Sequence, residues 1–144
     1  MSAETFFTDQ QKEAIRQAIA TAERKTSGEI RVHIEEECKE EVVHHAEKVF
    51  GLLEMHKTEL RNGVLFYLAV NSRVFAIYGD KGIHEKVPVK FWDSTSALME
   101  KDFKEGKFTE GLVAGINSAG EQLATHFPCM TNDKNELSDE ISFT

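Results

Sequence analysis

The sequence predicts an α/β fold: a three-layer α/β/α sandwich with a small mixed sheet, in the order α-β-α-β-β-α-α. Three observations predict it. Glu29 to Glu35 alternates polar and apolar side chains, the period of a strand whose two faces meet different surroundings. Val64 to Val70 is an unbroken apolar run, followed after the polar turn Asn71-Ser72 by a second apolar run ending at Tyr78. Such a run suits a central strand covered on both faces. The longer segments around these strands repeat apolar residues at helical spacing.

Thr8 to Lys25 is the first predicted helix. Thr8 with Gln11 forms a capping-box pattern, and Ala14, Ile15, Ala18, Ile19 and Ala22 share one face. Ser27-Gly28 is expected to stop it, with Gly28 in the left-handed conformation. In the strand that follows, Ile30, Val32 and Ile34 point one way and Glu29, Arg31, His33 and Glu35 the other. His33 is expected to be exposed or half-exposed. The acidic run Glu35 to Glu41 reads as a solvated loop entering an acidic first helical turn, which the helix dipole favours. Its carboxylates suit a hard cation, but the alternation and central glycine of a calcium loop are missing.

Val42 to Lys57 is the second helix, with Val42, Ala46, Val49, Phe50 and Leu53 on its buried face. His44, His45 and His56 lack the four-residue spacing of a helical zinc pair and read as surface residues. The hairpin spans Asn62 to Asp80, and Asn71 is the residue that tolerates a positive φ at its turn. Val87 to Phe103 is the third helix. Pro88 suits its first turn, and Phe91, Trp92, Thr95, Leu98, Met99 and Phe103 form its apolar stripe, with Trp92 as a core anchor. Gly106 ends it. Phe108 to Phe127 is the fourth helix, where Gly111, Gly115 and Ala119 make a strip narrow enough for close packing. Residues 1–128 read as one domain and 129–144 as a disordered polar tail.

The 144 residues fit a single domain with a real core. A formal net charge of -8 argues against nonspecific binding to DNA or an anionic membrane, since phosphate neutralisation needs clustered Lys and Arg. Cys38 and Cys129 sit in no metal-binding or disulfide pattern. No signal peptide is visible, and no run approaches the roughly 20 apolar residues of a membrane span. The expectations are a cytoplasmic protein with no direct membrane insertion and no nucleic-acid partner.

Topology places the candidate site. With the first two strands parallel and the third returning, Ser27-Gly28-Glu29, Arg61-Asn62-Gly63 and Gly79-Asp80-Lys81-Gly82 converge at one edge, near His84 and Glu85. The candidate binding residues are therefore Gly28, Glu29, Asn62, Gly63, Gly79, Asp80, Gly82, His84 and Glu85. Asp80 or Glu85 with the Asn62 amide is hard-cation chemistry, calcium or magnesium. The glycine-bracketed loop with Lys81 or Lys86 is anion chemistry. Turn residues doing only structural work are the third possibility.

The chain resembles a family at this point. Ser27-Gly28, Asn62-Gly63-Val64-Leu65, the hairpin ending in Arg73, Tyr78-Gly79 with Gly82, and Phe108-Thr109-Glu110-Gly111-Leu112 with Gly115-Ile116 look like the TPM domain. Members occur in the thylakoid lumen, in photosystem II repair, among nematode receptor modulators and widely in bacteria. The resemblance implies an α/β/α sandwich. From some plant relatives it also implies divalent-cation binding and weak acid-phosphatase activity. The bacterial relatives are usually extracytoplasmic, with a signal peptide and a later membrane helix.

Relatives often carry Asn-Asn-Gly at Arg61-Asn62-Gly63, Asp-Asp-Arg at Asn71-Ser72-Arg73, and Gly-Leu-Glu-Gly at Gly79-Asp80-Lys81-Gly82. The hairpin carboxylates are thus absent here, and the third acidic position is Lys81 with Asp80 beside it. Two functions follow as expectations. One is a non-catalytic module working through a protein partner, in a membrane or envelope assembly. The other is a divalent-cation-dependent phosphatase with Asp80 near the reacting phosphate and His84 or Glu85 as acid-base groups.

Overall fold

A computed structural model describes residues 2–129 and 139–144. The elements are α1 (Ala3–Phe6), α2 (Asp9–Glu23), β1 (Glu29–Glu35), α3 (Val42–Leu52), β2 (Gly63–Ala69), β3 (Val74–Gly79), α4 (Lys81–His84), α5 (Asp93–Lys104), α6 (Phe108–His126) and β4 (Ser142–Phe143). The sheet is mixed, in the order β3-β2-β1-β4. β1 and β2 run parallel, with Glu29 opposite Gly63 and Glu35 opposite Ala69. β3 returns antiparallel, placing Gly79 opposite Val64.

Alternation sorts the side chains into two cores. Ile30, Val32, Ile34, Val64, Phe66 and Leu68 face α2, α5 and α6. Leu65, Tyr67, Ala69 and Ala76 face α3 through Ala46, Val49 and Phe50. This is the expected three-layer α/β sandwich, with β2 buried along its whole length. The small strip on α6 does the packing expected of it. A Cβ on Gly111 would press into the Phe103 ring, and one on Gly115 into Met99, so α5 lies close along this face.

Several local expectations are corrected. α1 was not foreseen; it buries Ala3, and Phe7 follows it into the core. The third long helix begins at Asp93 rather than Val87. The residue before a proline is pushed out of the helical region, so Val87-Pro88 separates α4 from α5. Trp92 stands at the N-cap of α5, half-buried. Gly28 keeps a negative φ; the left-handed stop is Gly106, at φ 76°. Gly28 is small for another reason, since a Cβ there would lie 3.2 Å from Leu123 Cδ1. At the hairpin the positive φ falls on Arg73, at 56°, not on Asn71.

His33 is buried, at 2% exposure, with Ser142 of β4 on its ring and the Tyr67 ring stacked beside it. Of the expected polar tail, residues 130–138 lie outside the described residues. Residues 139–144 differ from that expectation: Ser142 and Phe143 pair with β1 in parallel, and Ile141 is 8% exposed. Among the described residues, no helix is long and apolar enough to cross a membrane.

Candidate functional site

The predicted convergence at the starting edge of β1 and β2 is present. The Glu29 amide donates to the Asn62 carbonyl at 3.2 Å, Asp80 to Gly63 at 2.9 Å and Gly82 to Arg61 at 2.9 Å. Glu29, Asn62 and Asp80 are 3%, 2% and 4% exposed. Gly82 has to be glycine, because a Cβ would collide with the carbonyl oxygens of Leu60 and Arg61. Gly28 and Gly79 also pack tightly, against Leu123 and Ile83 respectively. His84 and Glu85 stand apart from this knot: both are exposed at the end of α4.

Asp80 is engaged on both oxygens. Arg61 Nε donates to Oδ2 at 2.7 Å and Nη2 to Oδ1 at 2.8 Å, a two-pronged guanidinium–carboxylate pair. The Lys81 amide donates to Oδ1 at 2.8 Å, so Asp80 also caps α4. The hydrogen bond to Asp80 holds the Arg61 pKa above its ordinary value. Arg61 has a φ of 51°, in the left-handed region that asparagine tolerates better. Among the described residues, the buried Asn62 Nδ2 has no hydrogen-bond partner. Both Asp80 oxygens already face cationic or amide donors, whereas a hard cation needs free oxygen ligands. These residues do not fit a divalent cation.

The opposite edge holds a cluster that the sequence reading missed. Glu35 closes β1. Its Oε1 accepts from the Tyr67 hydroxyl at 2.5 Å and lies 2.8 Å from His45 Nε2. Its Oε2 accepts from the Thr144 hydroxyl at 2.5 Å and lies 3.2 Å from His33 Nε2. His33 Nδ1 meets the Ser142 hydroxyl at 2.9 Å, and Nε2 meets that of Thr144 at 3.0 Å. His45 Nδ1 reaches Glu40 Oε2 at 2.5 Å, and Lys48 Nζ reaches Glu40 Oε1 at 2.9 Å.

The electrostatics follow from these partners. Burial opposes the Glu35 charge, but hydrogen bonds from Thr144, Tyr67, His45 and His33 outweigh it and hold the pKa at about 2. The hydrogen bond to Glu40 raises the His45 pKa against partial burial, with Glu35 adding to it. Burial lowers that of His33, against the pull of Glu35. His45 thus bridges two carboxylates, a setting that favours its charged form. A period-two reading already put His33 and Glu35 on one face, and parallel register sets Tyr67 opposite His33. Nothing local announced that Ser142 and Thr144 would join them, since those contacts span more than a hundred residues.

Beside the cluster opens an acidic cleft of about 490 Å³, lined by Glu35, Glu36, Glu37, Lys39, Glu40, His45 and Thr144. A second hollow of about 450 Å³ lies between the hairpin turn and α5. It is lined by Val42, Leu68, Val74, Phe75, Phe103 and Phe108, with Arg73, Glu100 and Lys104. Among the described residues, no group of three or more His, Cys, Asp or Glu side chains is placed to hold a metal ion.

Comparison with known proteins agrees with this architecture. The chain is similar to the BA42 protein of the psychrophilic bacterium Bizionia argentinensis, with 47% identity and a TM-score of 0.93. The match covers 98% of this chain and 97% of that one. An N-terminal domain from P. gingivalis matches with 17% identity and a TM-score of 0.70, covering 85% of this chain and 80% of that one. The N-terminal domain of the cg2496 protein of Corynebacterium glutamicum matches with 11% identity and a TM-score of 0.66, covering 96% and 80%. The last two likenesses speak to fold alone. No curated protein matches the chain. The TPM domain's sequence model spans residues 1–122. With α2, the parallel β1–β2 pair, the hairpin and most of α6 inside that span, the chain belongs to the TPM domain family.

Proposed function

We propose that this chain is a TPM-type interaction module that works by binding a protein partner rather than by turning over a phosphoester. The observation that carries the reading is the state of Asp80. It is buried at the glycine-rich edge, as Glu29 is, and both its oxygens are held by Arg61 and the Lys81 amide. A carboxylate fixed in this way braces α4 against the hairpin and is not free to ligate a metal or orient water. His84 and Glu85, the other acid-base candidates, are exposed on α4 rather than gathered around it.

The test is hydrolysis of an aryl phosphate by the full chain at acidic pH, with calcium or magnesium added. The reading expects no turnover above the protein-free blank. Metal-dependent turnover that disappears in Asp80→Ala, while the variant stays folded, would overturn it in favour of the phosphatase.

A further inference from the structure

β1 is an inner strand of the sheet only because Ser142 and Phe143 pair with it. A strand edge accepts an extended chain through main-chain hydrogen bonds, and side-chain pockets at alternate positions supply the selectivity. Both parts are present here. On the main chain, the Thr144 amide donates to the Ile34 carbonyl at 3.2 Å. On the side chains, period two sends Ser142 and Thr144 to the same face. There they meet the two ring nitrogens of His33 at 2.9 and 3.0 Å, and Thr144 also donates to Glu35 at 2.5 Å. A neutral imidazole has one donor and one acceptor nitrogen, so it recognises two hydroxyls of opposite role. His33 is held for this task by its burial and by the Tyr67 ring stacked 6.1 Å away.

The strand that fills the edge is short and lightly anchored. It contributes two paired residues, both half-buried, and Ile141 is its buried apolar anchor. The lower part of the edge is closed by another group, since Glu23 accepts from the Ile30 amide at 2.9 Å. The recognition surface is therefore confined to the upper half of β1, beside the acidic cleft that Thr144 helps to line.

We propose that the outer edge of β1 is a strand-docking site that reads a hydroxyl-x-hydroxyl pair through His33 and Glu35. Residues 142–144 fill it in cis, and an extended Ser-x-Thr segment of a partner protein binds by displacing them. The proposal rests on the reading of the chain as an interaction module and names the chemistry of its partner. A cis strand competes at high effective concentration, so it acts as a built-in threshold on partner binding.

The experiment is a titration of the full chain with the peptide Asp-Glu-Ile-Ser-Phe-Thr, the sequence of residues 139–144, followed by amide NMR. Wild type is compared with the double variant Ser142→Ala, Thr144→Val. The variant is expected to show saturable shifts at Val32 to Glu35 and to bind about tenfold tighter than wild type, because its own strand competes less. A control peptide with alanine and valine in place of serine and threonine is expected to bind neither protein.

Equal binding of the two peptides would overturn the hydroxyl reading. So would a double variant whose own strand stays protected from hydrogen exchange as in wild type. Absence of any β1 shift in a variant whose strand has left would overturn the docking site itself. Concentration-dependent self-association with shifts at β1 would assign the edge to a second copy of the chain and overturn the heterologous partner. None of these outcomes concerns phosphoester turnover, so the two readings fail separately.

Discussion

Arg61 and Asp80 hold their places as a pair. Each alone is awkward: an arginine at φ 51°, and a carboxylate at 4% exposure. Together they close a two-pronged bridge between the β2 entry and the α4 cap. Asp80→Ala should lower stability by about 1–2 kcal/mol through the lost helix cap, measured as a lower urea midpoint at unchanged slope. Sequence reasoning brought these residues to one edge and left Asp80 open between ligand and turn residue, because spacing does not show which donor a carboxylate has already taken.

A second carboxyl group gives a pH signature. Burial, then a hydrogen bond with Asp139, raise the Glu23 pKa to about 9, against the Ile30 amide that favours the charged form. The folded chain therefore holds a proton there that the unfolded chain has released. That contribution is full below the ordinary carboxylate range and is lost as pH rises through about 9. Glu23→Gln keeps an oxygen for the Ile30 amide and has no proton to lose. Its melting temperature should fall less than that of wild type between pH 5 and pH 9, and parallel curves would contradict the assignment.

At the scale of elements, glycines in similar helical settings should respond in opposite directions. Gly51 lies in α3 with nothing within 4 Å of an added Cβ. Gly51→Ala should stabilise by about 0.5–1 kcal/mol through helix propensity alone. Gly120 lies in α6, where an added Cβ would sit 2.8 Å from Ala22 Cβ and 3.0 Å from its Cα. Gly120→Val should cost about 1–3 kcal/mol by forcing α2 away from α6. Chemical denaturation of both variants checks the pair.

The same elements show what was legible. The bounds of β1 and the capping box of α2 were readable from sequence, because period two and the Thr8–Gln11 spacing are local signals. The start of α5 was misplaced because proline was credited with opening a helix, while its restriction of Val87 was overlooked. β4 was missed because two residues carry no periodicity, and their strand character comes from β1 alone.

For the whole molecule, the sheet divides the polar residues between its two ends. The starting edge is a closed knot of backbone bonds around Asp80. The finishing edge carries the open cleft, the apolar hollow by Arg73, and the His33–Glu35 surface covered by β4. Fold-level reasoning identified the first edge because glycines cluster there in the sequence. The second is assembled from β1, β2, α3 and β4, and its hydroxyl donors arrive from the far end of the chain. We propose, on these grounds, that the glycine-rich edge is a structural brace and that binding belongs elsewhere. The most direct test of this proposal is an amide NMR titration of the full chain with calcium, magnesium and inorganic phosphate. No saturable shifts are expected at Gly28, Asn62 or Gly79 to Glu85. Saturable shifts clustered at those residues, and lost in Asp80→Ala, would contradict it.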